Sequence, residues 1–210
     1  MPIFYDFQRA PSPRRARIVL AEKGIVHDVG HIDLGSGEQL SEAYRAINPA
    51  CTVPALVLDD GTVLTDNAGI AAWAEAVQPD LPLLGATAVD KAAVASWNSK
   101  LEGECFAAIA EVLRNTSKGM VSRALPGPND FAQIPELAER GRARLLQFLD
   151  RFEAHMHGRD WVATDAFSLA DITAGVALDF AGWIKVDVNL GRPAIAAWRA
   201  RLAARASFAL

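Results

Sequence analysis

The sequence predicts a small α/β domain joined to an all-helical one, and three observations carry that prediction. Short β-prone runs alternate with helix-like stretches through residue 78, and strand signals then vanish. Between the two regimes lies "QPDLPLLGATAVD", with two prolines, a glycine and no period. The expected boundaries are 1–78 for the first domain, 79–87 for a linker and 88–210 for the helical domain.

The elements follow in order. "PIFYDF" is a β-branched and aromatic run ended by the polar, Pro-rich "QRAPSP". "PRRARIVLAEKGI" reads as a helix led by proline, with Gly24 as its C′ stop. "VHDVGHIDL" has strand character, and "SGEQLSEAYRAIN" reads as a short helix that Pro49 must end. In "ALVLDDGTVLT" two β-prone runs flank Asp60-Gly61, the dipeptide a tight hairpin favours. The alanine-rich "DNAGIAAWAEAV" is the next helix, so the order is βαβα and then ββα.

Helical periodicity takes over in the second half. Val94, Trp97, Leu101, Cys105 and Ile109 form one apolar stripe of a long helix. "SRALPGPNDFAQIP" breaks the chain, after which Leu137, Gly141, Leu145, Phe148 and Phe152 mark a second long helix. Ser168 and Asp171 bound a Ser-x-x-acid box ahead of an apolar run, the start signal of a third. "RPAIAAWRARLAAR" is a fourth, opened by Pro193.

Composition narrows the function. The chain has 210 residues, enough for a full core, and its mean hydropathy of +0.12 is that of a globular protein. A net charge of −4 without a Lys/Arg run gives no phosphate-neutralising face, so no nucleic-acid partner is expected. The cluster Arg14-Arg15-Ala16-Arg17 reads as the solvated side of a helix. Cys51 and Cys105 offer neither a disulfide framework nor a zinc pattern; no metal is expected, and two lone thiols fit a reducing compartment. With no signal-peptide pattern and no apolar run approaching about 18 residues, the expectation is a cytoplasmic protein without a membrane partner.

One stretch concentrates unusual chemistry. Asn48-Pro49, Val53-Pro54, the Asp60-Gly61 turn and Asp66-Asn67 follow one another, the last pair where a helix starts. Together with the Ser168–Asp171 box and the closing "AWRARLAARASF", this ordered set resembles the cytosolic glutathione transferase superfamily, in its serine- and cysteine-type bacterial form. The resemblance covers nearly the whole chain. It implies a thioredoxin-like first domain with a mixed four-stranded sheet, a helical second domain, a homodimer, and a cis peptide at Val53-Pro54. Residues alone leave the last point open, since a trans proline opening an edge strand reads equally well.

The resemblance makes glutathione the expected co-substrate, together with an electrophilic, largely apolar small molecule whose site the helical domain helps form. Val53 next to Pro54 would keep its N–H and C=O free to pair with an extended peptide. Asp66 would meet the ammonium group. Asn67, where the family usually has Ser or Thr, would meet the γ-glutamyl carboxylate with help from the helix start. Either residue also reads as a plain N-cap. Gln39 stands where family members often place a donor for the glycyl carboxylate, and also reads as a solvated glutamine. Cys51 reads as a space-filler rather than a nucleophile, and Cys105 as core.

Thiolate stabilisation asks for a hydroxyl or thiol at the start of the first helix, where N–H groups and the helix dipole favour an anion. Ser12 at the loop-to-helix junction is the first choice. Tyr5 in the first strand, or backbone N–H with Arg14 or Arg15, are the alternatives. The chemistry expected is conjugation of the glutathione thiolate. The same thiolate would serve an isomerase, dehalogenase or peroxidase, and a non-catalytic binding or assembly protein on this scaffold is the reading from another class.

Overall fold

The computed structural model describes residues 1–210, which separate into two compact units. The first comprises Met1–Leu81 with Pro126–Asn129 and Leu210, and the second Pro82–Leu125 with Asp130–Ala209.

In the first unit, β1 (Ile3–Asp6) leads through a short loop into α1 (Pro11–Glu22). Pro11 takes the first helical position, where its missing N–H costs nothing. Gly24, at φ +62°, stops the helix as expected, and Ile25 N–H reaches back to Leu20 O at 3.0 Å. Then come β2 (Asp28–His31), a 3₁₀ turn at Glu38–Leu40, α2 (Glu42–Ile47), β3 (Ala55–Val57), β4 (Val63–Leu64) and α3 (Asn67–Val77). The single helix expected over "SGEQLSEAYRAIN" is thus divided. Ser41 accepts from Tyr44 N–H as the N-cap of α2, so the chain restarts there and leaves Gln39 in the 3₁₀ turn. The hairpin also departs from a tight two-residue turn. Leu58 N–H pairs with Thr62 O at 2.8 Å, and Gly61 at φ +85° supplies the left-handed residue of a three-residue loop.

The sheet order is β2-β1-β3-β4, with β1 parallel to β2 and antiparallel to β3, and β3 antiparallel to β4. Alternation along β1 sorts the two faces. Phe4 packs with Ala16 and Leu20 of α1, Leu56 of β3 and Ile70 of α3, while Tyr5 points into a second cluster with Tyr44, Ile32 and Val53. Lys23 is almost wholly buried. Its Nζ donates to the carbonyls of Gln78, Asp80 and Leu81 at 3.0, 3.1 and 2.8 Å and pairs with Glu75, so a cation sits at the negative end of α3.

The basic run at 14–17 is not the solvated face the sequence suggests. Arg15 is buried, and Arg17 Nη1 lies 2.5 Å from the buried Asp6 carboxylate at the end of β1. Partnered arginines bury their stems readily, which a composition count does not reveal.

The second unit contains α4 (Ala88–Lys100), a π turn (Leu101–Phe106), α5 (Ala107–Thr116), α6 (Pro135–Met156), α7 (Leu169–Ala181) and α8 (Pro193–Ala203). The stripe Leu101, Cys105, Ile109 is buried as expected, together with Leu145, Phe148 and Phe152 of α6. The π turn departs from the regular long helix expected here, although the spacing contains its cause. Three successive four-residue steps from Trp97 to Ile109 drift by roughly 120° on a regular helix of about 3.6 residues per turn. One wider turn absorbs most of that drift and keeps the stripe on one face. Burial pushes the Cys105 thiol up and leaves it inert. No helix is long and apolar enough to cross a membrane.

Candidate functional site

Topology gathers the expected site residues at one end of the sheet. Two antiparallel steps, β1 to β3 and β3 to β4, make β4 run parallel to β1. Hence α1 and α3, which follow those strands, start at the same end. Tyr5 near the end of β1 pairs with Ala55 at the start of β3, so Val53-Pro54 lies at that end too. Parallel β2 ends there as well, and the chain then enters the turn that carries Gln39.

At the α1 start, Ala10 is an N-cap without a side-chain bond. A helix start normally exposes several unpaired N–H groups. Here Pro11 and Pro13 have none, and Arg14 N–H bonds weakly to Ala10 O at 3.4 Å. Ser12 is left as the first-turn residue with both an amide and a hydroxyl to offer an anion, and it is half-buried. No acidic side chain sits in this turn to compensate the dipole.

Asp66 is the N-cap of α3, its Oδ1 accepting from Gly69 N–H at 2.7 Å. It is exposed, and one oxygen suffices for the cap, so the carboxylate can cap the helix and face a cation at once. Asn67 is the first helical residue rather than a cap. Its Nδ2 donates to Ser12 Oγ at 2.9 Å across 55 residues of sequence, while its Oδ1 is buried without a partner. Two residues singled out separately in the sequence are therefore in direct contact, which sequence reasoning missed. No local signal could have found it, because the contact depends on the two strands running parallel.

The Val53-Pro54 peptide is cis, as the resemblance implied. Both residues are buried, and the Val53 N–H and C=O enter no backbone hydrogen bond. Thr52 just before them is held firmly. Its carbonyl accepts from Tyr44 Oη at 2.7 Å and from Asn48 Nδ2 at 2.7 Å. Gln39 is half-buried, and its Oε1 is a second buried polar atom without a partner. Both Asn67 Oδ1 and Gln39 Oε1 are acceptors and ask for an N–H or O–H donor; the amide N–H groups of either side chain are what a carboxylate could use.

Of the other candidates, Arg14 Nε donates to Leu210 O at 3.2 Å and Arg15 is buried, while Tyr5 and Cys51 are committed to packing. Tyr5 packs edge-on against Tyr44 at 5.8 Å between ring centroids, and its ring lies so close over Gly30 that a Cβ there would stand 2.7 Å from it. Cys51 is buried at φ +55°, with its sulfur 3.6 Å from Pro49 O, and shapes the loop ahead of Thr52.

Comparison with known proteins places these features in a family context. Residues 10–77 match the family described as "Glutathione S-transferase, N-terminal domain", and residues 73–206 match "Glutathione S-transferase, C-terminal domain". Glutathione S-transferase 2 of Saccharomyces cerevisiae is 32% identical over 208 residues, 98% of this chain and 87% of that protein. The crystal structure of Gtt2 from Saccharomyces cerevisiae matches with a TM-score of 0.89 at 31% identity, covering 98% of this chain and 97% of that one. A glutathione S-transferase from Methylobacillus flagellatus, solved with GSH bound, matches with a TM-score of 0.82 at 26% identity, covering 99% of this chain and 97% of that one.

Proposed function

The chain belongs to the glutathione S-transferase family, and on that premise we propose that it transfers the glutathione thiolate to an electrophilic, largely apolar small molecule, with Ser12 as the sulfur's partner. The observation that carries the reading is the hydrogen bond between Ser12 and Asn67 at two helix starts, at the same end of the sheet as Val53, whose N–H and C=O enter no backbone hydrogen bond.

In this reading glutathione lies along Val53-Pro54 as an added strand, pairing with the Val53 N–H and C=O. Asp66 faces the ammonium group, Asn67 and the α3 start face the γ-glutamyl carboxylate, and Gln39 faces the glycyl carboxylate. The thiol proton leaves to solvent, and the electron pair left on sulfur accepts the Ser12 O–H. A free thiol has a pKa of about 8.5, and each unit of depression is worth about 1.36 kcal/mol. One charge-assisted hydrogen bond plus a helix start supplies a unit or two. The thiolate then attacks the electrophilic carbon. A C–S bond forms and the leaving group departs with its bonding pair, the rate coming from proximity and from the thiolate population.

The test is conjugation of glutathione to an activated aryl halide, run beside retention on immobilised glutathione, with Asp66→Ala and Ser12→Ala as variants. Wild type is expected to bind and turn over, Asp66→Ala to lose retention, and Ser12→Ala to lose rate while keeping retention. A wild-type chain that neither binds nor conjugates is a non-catalytic member of the fold. Unchanged turnover in Ser12→Ala removes only the assignment of the sulfur's partner.

A further inference from the structure

Asn67 has a place in the reading above as a carboxylate donor, yet its amide is already engaged. Nδ2 lies 2.9 Å from Ser12 Oγ, and Oδ1 is buried without a partner. An amide NH₂ only donates, so at Oγ it occupies a hydroxyl lone pair. The Ser12 hydrogen must then point away from Asn67. We infer that Asn67 is a positioning residue for the Ser12 hydroxyl: it receives no proton from Ser12 and so keeps the O–H available to the glutathione sulfur.

The neighbours leave few other ways to orient that hydroxyl. Ala10 has no side chain to cap the α1 start, and Pro11 and Pro13 carry no N–H to compete for Oγ. Ser12 sits at the second helical position, where a free hydroxyl rotates among its staggered wells. A donor arriving from α3 removes that freedom. It also polarises Oγ, which strengthens the hydrogen bond the same hydroxyl gives onward. A Ser or Thr at position 67, the residue types the resemblance leads one to expect, carries a hydroxyl that can accept from Ser12 as readily as donate to it. Asparagine's Nδ2 cannot accept. The departure from the family pattern is therefore what ties the α3 start to thiolate stabilisation.

The inference rests on the proposed role of Ser12, and the experiment separates the two. The readout is the pKa of the thiol in the binary complex, from the ultraviolet absorbance of the thiolate across pH at saturating glutathione. Ser12→Ala, Asn67→Ala, Asn67→Asp and the double variants Ser12→Ala/Asn67→Ala and Ser12→Ala/Asn67→Asp are compared. Asn67→Ala is expected to raise the bound-thiol pKa by about one unit, the scale of a weakened charge-assisted hydrogen bond. Asn67→Asp is expected to raise it further, since a carboxylate accepts the Ser12 proton and turns the hydroxyl away. In the Ser12→Ala background only the charge effect of Asn67→Asp survives, and Asn67→Ala shifts nothing. If Asn67→Ala weakens glutathione binding with the thiol pKa unmoved, Asn67 is a carboxylate contact alone and the inference is overturned. If Asn67→Asp raises the thiol pKa no more with Ser12 present than in the Ser12→Ala background, charge alone separates aspartate from asparagine. Asn67 then already accepts the Ser12 proton, and the inference is overturned too. If Ser12→Ala leaves the thiol pKa unchanged, the failure belongs to the reading of Ser12 and takes the inference with it. Asn67→Ser, which keeps a short polar side chain at the helix start, supplies the comparison if Asn67→Ala melts early.

Discussion

Arg17 Nη1, two turns into α1, lies 2.5 Å from Oδ2 of the buried Asp6 at the end of β1. The same guanidinium donates through Nη2 to Gln8 O at 2.9 Å. One side chain thus ties the last residue of the strand, the loop after it and the helix that begins at Pro11. Removing one member of a buried pair strands the other charge, at about 3–5 kcal/mol. Arg17→Ala is expected to lose stability on that scale by denaturant unfolding. Arg17→Lys should recover part of it, because an ammonium can serve Asp6 but cannot fork to Gln8 O as well. An Arg17→Ala variant as stable as wild type would show that water compensates Asp6.

Tyr44 predicts a pH dependence. Its hydroxyl donates to Thr52 O inside the cluster that carries Val53, and burial pushes its pKa up to about 12. Tyrosine titrates near 10 when unfolded. The folded chain therefore holds the neutral form more tightly than the unfolded chain does. This contribution is fully present below pH 10 and is lost as pH rises from about 10 toward 12. Its loss is on the order of 2 kcal/mol across that window. The difference in unfolding free energy between wild type and Tyr44→Phe should be flat from neutral pH to about 10 and shrink above it. A difference that stays constant to pH 12 counts against the shift.

How much of this was legible in the sequence follows from the range of each interaction. The βαβα–ββα order, the Gly24 stop, the α3 start and the cis Val53-Pro54 peptide rest on local chemistry or on the resemblance, and the structure has them all. The division of "SGEQLSEAYRAIN" is signalled by Ser41, a cap residue inside the expected helix. Arg15 and Arg17 read as solvated because charge counts say nothing about a partner, and the partner of Arg17 is a strand residue 11 positions back. Ser12 and Asn67 each stand out for their helix starts. Their contact lies out of reach, because it needs the strand order that the chain acquires only on folding.

Asp171 shows a cap extending into a core. The sequence identifies its pairing with Ser168, and the carboxylate does accept Ser168 N–H and Oγ–H, both at 3.0 Å. It also accepts Val162 N–H at 2.9 Å and Trp198 Nε1–H at 3.0 Å, while fully buried. Asp171→Ala leaves four donors unpaired at once, each costing about 1–3 kcal/mol when buried, though not additively. The expected loss is about 4 kcal/mol or more, enough to deplete soluble protein at about 37 °C. Asp171→Asn is expected to fall between, since its carbonyl oxygen still accepts on one side while its NH₂ opposes a donor on the other. Equal stability of the alanine and asparagine variants would contradict the four-donor account.

Gly141 sets how closely α5 and α6 approach. A Cβ at this position would stand 2.7 Å from Ala108 O and 2.8 Å from Glu111 Cβ, a backbone atom and the root of a side chain, neither of which can swing aside. Replacing glycine by alanine within a helix normally gains up to about 1 kcal/mol through propensity. Forcing two packed helices apart costs typically about 1–3 kcal/mol. The clash should win, so Gly141→Ala is expected to lower the melting temperature by several degrees. Gly103 on the exposed side of the π turn is the internal control. A Cβ there meets nothing within 4 Å, so Gly103→Ala should be neutral or slightly stabilising. Both variants are read by thermal melts under one condition, and the prediction is a difference in sign. If Gly141→Ala melts at or above the Gly103→Ala temperature, the α5–α6 contact is looser than its geometry requires.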